Sequence, residues 1–355
     1  MARQPLPVRL LIVGTGGMAG RHAERFQAIA GVTIVAGVDT NAERLKAYRE
    51  RFGIGRGFAS VEEALDWGEF DAAANVTPDG VHFATTMPLL KARKHVFCEK
   101  PLAVNRKDAA AMARAADRAG VVHGVNLTYR EGAALQAAQR MVAAGEIGEI
   151  RHIEASYLQS WLTQPAWGHW DREDQWLWRL STAHGSKGVL GDVGIHILDF
   201  ATFAAGQDVT EVSCRLKTFH KAPGDRIGKY VLDANDSCAM HVALANGAIG
   251  VVHASRFASG YVNQLTLKVF GVKGGVEVIY ANDTSTLRVC REANLTTGTW
   301  EQVKLPRVPN NYQRFIAAIR GEAPMDPDFH RGAALQAVLD RAVESDAKGC
   351  RSLKV

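Results

Sequence analysis

Cysteine is scarce, with five residues in 355, and the number is odd. Cys98, Cys214, Cys238, Cys290 and Cys350 form no C-x-x-C pair and no zinc-type spacing. That excludes a disulfide scaffold and points to a reducing compartment, the cytoplasm. No run approaches the roughly 18 apolar residues that a membrane helix needs. Met1–Pro7 holds no apolar stretch, so a conventional signal peptide is not expected either. Net charge is slight, 42 Lys plus Arg against 37 Asp plus Glu. With no basic patch or tail, nucleic acid is not an expected partner. Low-complexity segments and internal repeats are missing too. What remains is an ordinary globular composition, 47% hydrophobic and 22% charged. The length suits about two or three domains.

The first 127 residues alternate between two patterns. Val8–Val13, Val32–Val38, Asp71–Val76, His95–Cys98 and Val121–Leu127 are short apolar runs of the kind that form buried parallel strands. Between them, helical periodicity covers the segment after Gly20 to about Ala30, then Ala42–Phe52, Val81–Arg93 and Arg106–Ala119. The spacing predicts βαβ units and a parallel sheet. Pro88, inside one helical pattern, predicts a kink or a late start there. The remainder reads as α+β. Helices are predicted near Gly132–Ala144, Val193–Ala204, Asn311–Arg320 and Phe329–Lys348. Long alternating runs at Arg151–Gln159, Val209–Phe219, Ser237–Phe257, Gln264–Tyr280 and Thr286–Arg291 predict a mainly antiparallel sheet. Asn246-Gly247 and Lys273-Gly274-Gly275 break the runs as hairpin turns do.

Gly14-x-Gly16-x-x-Ala19 follows the first strand and opens a helix, which is the setting of a dinucleotide fingerprint. The first glycine permits the tight turn and the second lets the backbone approach a pyrophosphate. Ala19 is small enough for helix–strand packing. Asp39, ending the second strand, can accept from a ribose 2′-hydroxyl and repels a 2′-phosphate, favouring NAD over NADP. The alternatives are a glycine turn packed for its own sake and an ordinary turn aspartate. Lys100-Pro101 and Thr77-Pro78 each follow a strand, at the edge where ligands bind in open α/β sheets, though from position alone Lys100 reads equally as a solvated loop lysine. Asp192 and His196 are four apart and Asp199 three further, so they can share a helix face. A histidine beside a carboxylate is a candidate general base. An N-capping Asp192, a buried structural histidine and a metal set of Asp192, His196 and Asp199 stay open at this point. Trp161, Trp167, Trp170, Trp176 and Trp178, with Tyr157, crowd one stretch before this motif. They suit either sugar C–H faces or a packed core or interface.

These motifs together resemble the glucose–fructose oxidoreductase / inositol dehydrogenase / rhizopine-catabolism (Gfo/Idh/MocA) family, over essentially the whole chain. The resemblance rests on Gly14–Ala19, Asp39, Thr77-Pro78 with His82, His95–Pro101, and Gly191-Asp192-x-Gly194-x-His196-x-x-Asp199. It implies a Rossmann dinucleotide-binding domain over residues 1–127. A substrate-binding and oligomerisation domain over 128–355 follows, built on a large open, mostly antiparallel sheet, its last helix free to pack back on the first. It implies hydride transfer between NAD, with NADP as alternative, and a CH–OH or C=O group of a sugar, anhydrosugar or cyclic polyol. The family's catalytic lysine, aspartate and histidine fall on Lys100, Asp192 and His196. Implied cofactor contacts are Gly14, Thr15, Gly16, Gly17, Met18, Asp39, Thr40, Thr77, Pro78, His82, Glu99 and Lys100. Implied substrate contacts are Lys100, Tyr129, Trp178, Arg179, Asp192 and His196. Residue 79 is Asp where many relatives carry Asn. No metal is implied, and a homodimer or homotetramer is. Two other activities remain: an NAD-dependent glycoside hydrolase of the same fold, and a non-catalytic NAD-responsive binding protein.

Overall fold

The computed structural model describes residues 6–355, so residues 1–5 of the Met1–Pro7 segment lie outside it. The chain forms two compact units. One runs to Thr128 and takes in Pro309–Gln336; the other holds Tyr129–Val308 and Ala337–Val355. Residues 309–336 therefore fold with the first unit, where a cut at 127 would assign them to the second.

In the first unit, β1 (Val8–Val13), α1 (Gly17–Gln27), β2 (Val32–Val38), α2 (Ala42–Phe52), β3 (Arg56–Phe58), α3 (Val61–Trp67), β4 (Ala72–Asn75), α4 (His82–Lys91), β5 (His95–Cys98), α5 (Arg106–Ala119) and β6 (His123–Val125) alternate. The six strands are all parallel, in the order β3-β2-β1-β4-β5-β6. The order reverses between β1 and β4, the kind of switch point at whose carboxyl ends ligands bind in open α/β sheets. The strands at Val8, Val32 and His95 keep their sequence bounds, whereas β4 and β6 are shorter than the apolar runs around them. The sequence reading missed β3 and α3, because β3 is a three-residue edge strand reading Arg-Gly-Phe with no apolar run. Of the two readings of Pro88, the late start is the one corrected. Helix α4 starts at His82, six residues before it, and continues through it to Lys91. Burial of Thr86, Leu89 and Leu90 offsets the lost N–H. Leu10, Ile12, Phe26 and Phe97 share one core with Tyr312, Phe315 and Ile316 of the returning segment. Its helix, Asn311–Ile319, starts in a capping box between Asn310 and Gln313.

The second unit is built on a nine-stranded sheet. Its order is Glu301–Gln302, Thr284–Arg291, Gly274–Ala281, Asn263–Gly271, Ile150–Gln159, Ile249–Ser255, Ser237–Leu244, Val209–Lys217 and Leu353–Lys354. Every pair is antiparallel except Ile150–Gln159 with Ile249–Ser255. Helices Ala133–Ala143 and Ile195–Ala205 pack on this sheet. One face buries Ile153, Ala155, Met240, Val252, Leu265, Leu267 and Val278. Alternate positions such as Glu154, Thr266, Lys268, Ala239 and His241 stay on the other face, as period-two patterning requires. The helix foreseen from Val193 is preceded by a π-helical turn over Leu190–Gly194. No helix among the described residues is long and apolar enough to cross a membrane.

Candidate active site

In the first unit the glycine loop is shaped by hard contacts on one side and by open space on the other. Gly14 has φ +86°, and a Cβ there would lie 2.9 Å from Val76 O and Thr77 N, so only glycine fits. At Gly16 and Gly17 an added Cβ would meet no atom within 4 Å. No side chain caps α1, and Met18 beside it is 47% exposed. An uncapped helix start fronted by bare backbone is a cradle for a pyrophosphate, so these residues fit a dinucleotide. Thr15 and Asp39 line the same loop. The Asp39 carboxylate accepts from Thr15 N (2.9 Å), Thr15 Oγ1 (2.7 Å), Asn41 N (2.9 Å), Arg44 Nε (2.9 Å) and Arg44 Nη2 (2.6 Å). Burial pushes its pKa up, but these donors, Arg44 first, hold it far below the usual carboxylate range. Asp39 is therefore ionised. Thr40 beside it is exposed. Replacing Asp39 with Ser is expected to weaken NADH binding by about ten- to a hundredfold, the worth of roughly 1.5–3 kcal/mol in charged hydrogen bonds, and to raise relative affinity for NADPH. Fluorescence titration with both reduced cofactors checks it.

After β4 and β5 the chain carries Thr77-Pro78 and Lys100-Pro101. Thr77 Oγ1 donates to Asn75 Oδ1 at 2.7 Å, and Pro78 is exposed. Asp79 accepts from Gly80 N and opens a short 3-10 turn, Asp79–Val81. His82 is buried against backbone. The Glu99 carboxylate is taken by interior partners: His22 Nε2 and Asn126 Nδ2, each at 2.7 Å, and Lys100 N at 3.2 Å. Burial opposes its ionisation, yet the His22 and Asn126 bonds and the nearby Lys100 charge hold its pKa at about 2. Lys100, half-buried, follows this fixed carboxylate.

In the second unit Asp192 sits inside the π turn and His196 one turn on, in helix Ile195–Ala205. Asp192 is not the N-cap, since the turn begins at Val189. π-Turns inside helices recur at functional sites. Arg256, fully buried, donates from Nη2 to Asp192 Oδ2 at 2.9 Å and from Nη1 to Arg179 O at 3.1 Å, with its guanidinium 4.9 Å over the Trp161 ring. Arg179 lies 4.0 Å from the same carboxylate oxygen and stacks on Trp178 and Trp176. His196 is buried, edge-on to Tyr129 with ring centroids 5.0 Å apart. Behind it the polar groups close a ring. Tyr157 donates to Asn263 Oδ1 (2.7 Å), and Asn263 Nδ2 donates to Tyr129 Oη (3.0 Å). Tyr129 in turn hydrogen-bonds Tyr157, and Gln159 donates to Asn263 and Tyr157. Burial, then the neighbouring Tyr129 and Asp192, push the Tyr157 pKa well above the ordinary phenol value, so it stays a donor. Asp199 is engaged in a buried two-pronged pair with Arg130, at 2.7 and 2.8 Å. That answers the Asp192–His196–Asp199 metal reading.

Sequence reasoning missed Arg256, Gln159 and Asn263. Each lies on or beside a sheet strand far from the motif in sequence, and no local pattern marks it. The tryptophans divide. Trp161 is core, with Trp170 and Trp176 packed against it, while Trp167 and Trp178 are exposed. Asp117, His123 and His330 also bring ligand-type atoms together. There His123 Nδ1 accepts from Phe329 N at 3.1 Å, so its Nε2 carries the proton and faces Asp117 at 3.7 Å. This is hydrogen bonding of folded elements, not a lone-pair set for a cation.

Residues 8–127 match a family model described as an oxidoreductase family with an NAD-binding Rossmann fold, and residues 135–277 match the GFO/IDH/MocA C-terminal domain. Levoglucosan dehydrogenase of Pseudarthrobacter phenanthrenivorans is 26% identical over 348 residues, 87% of this chain and 86% of that one. Myo-inositol 2-dehydrogenase of Thermotoga maritima is 25% identical over 280 residues, 79% of this chain and 78% of that one. The crystal structure of an oxidoreductase domain protein from Kribbella flavida aligns with a TM-score of 0.84 at 26% identity, covering 99% of each chain.

Proposed function

We infer the activity from one premise: this chain belongs to the Gfo/Idh/MocA family of oxidoreductases, and its first unit is an NAD-binding Rossmann domain. The reaction is hydride transfer between NAD and a CH–OH or C=O carbon. We take its substrate to be a neutral sugar, anhydrosugar or cyclic polyol, the class to which levoglucosan and inositol, named in the relatives, belong. The observation that supports this most is Asp192, held by buried Arg256, one turn before His196.

The roles follow from side-chain chemistry. When bound, the nicotinamide supplies the hydride acceptor. His196, against the Tyr129 ring, accepts the proton of the reacting hydroxyl. The Lys100 ammonium is suited to stabilising the negative charge that develops in the reaction. Asp192, fixed by Arg256, orients the substrate or the His196 ring rather than exchanging protons. Trp178 and Arg179 offer an apolar face and a forked donor to a sugar ring. A homo-oligomer joined through the exposed face of the nine-stranded sheet, working in the cytoplasm, completes the reading. Five free cysteines suit that reducing compartment, and light scattering tests the assembly.

The test is nicotinamide reduction followed by absorbance, with NAD and NADP separately, against inositols, aldoses, ketoses and anhydrosugars. NAD-linked turnover is the expected result. Tight NADH binding without turnover on the whole panel overturns the dehydrogenase reading. Glycoside cleavage with no net change in nicotinamide absorbance would replace it with the hydrolase.

A further inference from the structure

His82 is 1% exposed, and its ring lies between two backbone carbonyls. Nδ1 is 2.8 Å from Pro101 O and Nε2 is 2.8 Å from Thr77 O. A carbonyl oxygen only accepts, whereas a neutral imidazole has one N–H and one lone pair. A neutral ring here would press that lone pair against an oxygen at hydrogen-bond distance. Turning the ring over would set carbon atoms against both. The arrangement that satisfies both contacts is an imidazolium with two N–H groups, each in a charge-assisted hydrogen bond. The two carbonyls belong to different loops, one after β4 and one after β5, and Pro101 O lies one residue beyond Lys100.

We propose that His82 is a positioning residue that is charged at neutral pH, whose imidazolium ties the Thr77 loop to the Pro101 loop and so fixes the backbone that presents Lys100.

The surroundings favour that charge. Burial alone would lower the pKa, but the sulfur of Cys98, from β5, and the two carbonyls outweigh it and hold the pKa near 9. β4 brings Asn75 and its following Thr77, and α4 brings Thr85 and Thr86; none of these titrates. The charged residues next in the second loop are Glu99, paired with His22, and Lys100. Asn75 Nδ2 reaches the His82 carbonyl at 3.4 Å, so strand β4 braces the residue's backbone as well. A pKa raised on folding adds stability that is whole below the ordinary histidine range and is lost as pH rises through about 9.

Three measurements test this on the full chain. Nitrogen-15 NMR of the labelled protein, with His82→Gln for assignment, is expected to show both ring nitrogens protonated at pH 7.5. A ring with one proton overturns the proposal. Hydrogen–deuterium exchange of peptides spanning 76–82 and 98–104 is expected to speed by about tenfold or more in His82→Gln, whose amide donates from one nitrogen only. Unchanged exchange at both loops overturns the tie. Only the third arm rests on the function proposed above: His82→Gln is expected to lower kcat by about tenfold with KM for NAD within about twofold, and an unchanged kcat removes the link to Lys100. If no substrate is found, the first two arms still decide the charge and the tie. Should His82→Gln fail to fold, His82→Asn serves for exchange, and the wild-type pH titration, with loop protection falling above about pH 9, decides the rest.

Discussion

Replacing Lys100 with Met is expected to lower kcat by about 10²–10³-fold, the range for removing one group that stabilises charge on a reacting oxygen. Methionine keeps the length and apolar stem of lysine, so the loop is not emptied, only discharged. NADH affinity is expected to stay within a few fold, because the glycine cradle and Asp39 lie on other loops of the same unit. Paired stopped-flow and equilibrium binding measurements separate the two quantities. A fall in affinity matching the fall in rate would mean that Lys100 serves binding alone. A kcat within about twofold of wild type would remove it from the chemistry.

The largest expected loss of stability is at Arg130–Asp199. Both side chains are nearly inaccessible, the guanidinium meets the carboxylate in two hydrogen bonds, and it stacks 3.8 Å over Phe203. Asp199→Asn leaves a buried guanidinium facing an uncharged partner, which is expected to destabilise the fold by about 3–5 kcal/mol. In a unit of this size that is a fall of roughly 10 °C in Tm. The double variant Arg130→Met with Asp199→Leu is expected to recover most of it, since no isolated charge remains. Calorimetry on the wild type and the two variants checks the series. A small loss in the single variant and a large one in the double would show that packing of Arg130 against Phe203, not charge, is what matters. Because Arg130 adjoins Tyr129, and Asp199 lies one turn beyond His196, the single variant is also expected to lower turnover.

What was legible in the sequence is what is local. The turn at Gly14, the strand before it and the helix after it are neighbours in the chain, and their glycine chemistry, apolar run and periodicity all agree. The same holds for helices Ala42–Phe52 and Arg106–Ala119, whose asparagine caps and left-handed terminal glycines stand beside the apolar pattern. Asp192 and His196 were visible through their spacing, but the π turn beneath them was not, since the glycines around it read equally as a loop. Arg256 and Arg130 were invisible for another reason. Each is a buried cation whose anion lies more than sixty residues away, and no period in the sequence reports such a pairing. Asp39 shows the reverse: its place was read correctly, yet its engagement by Arg44 emerges only when α2 folds beside β2.

The returning segment has a consequence for how the chain is made. Tyr312, Phe315 and Ile316 stand in the same core as Phe26 and Phe97. On the ribosome, the strands and helices up to Thr128 emerge with that part of their core open to water. It stays open while all of Tyr129–Val308 is translated. The amino-terminal unit is thus the first to be synthesised and cannot be the first to finish folding. A nascent chain stalled before Pro309 presents an apolar surface of the kind chaperones bind, and one that has emerged past Gln336 does not.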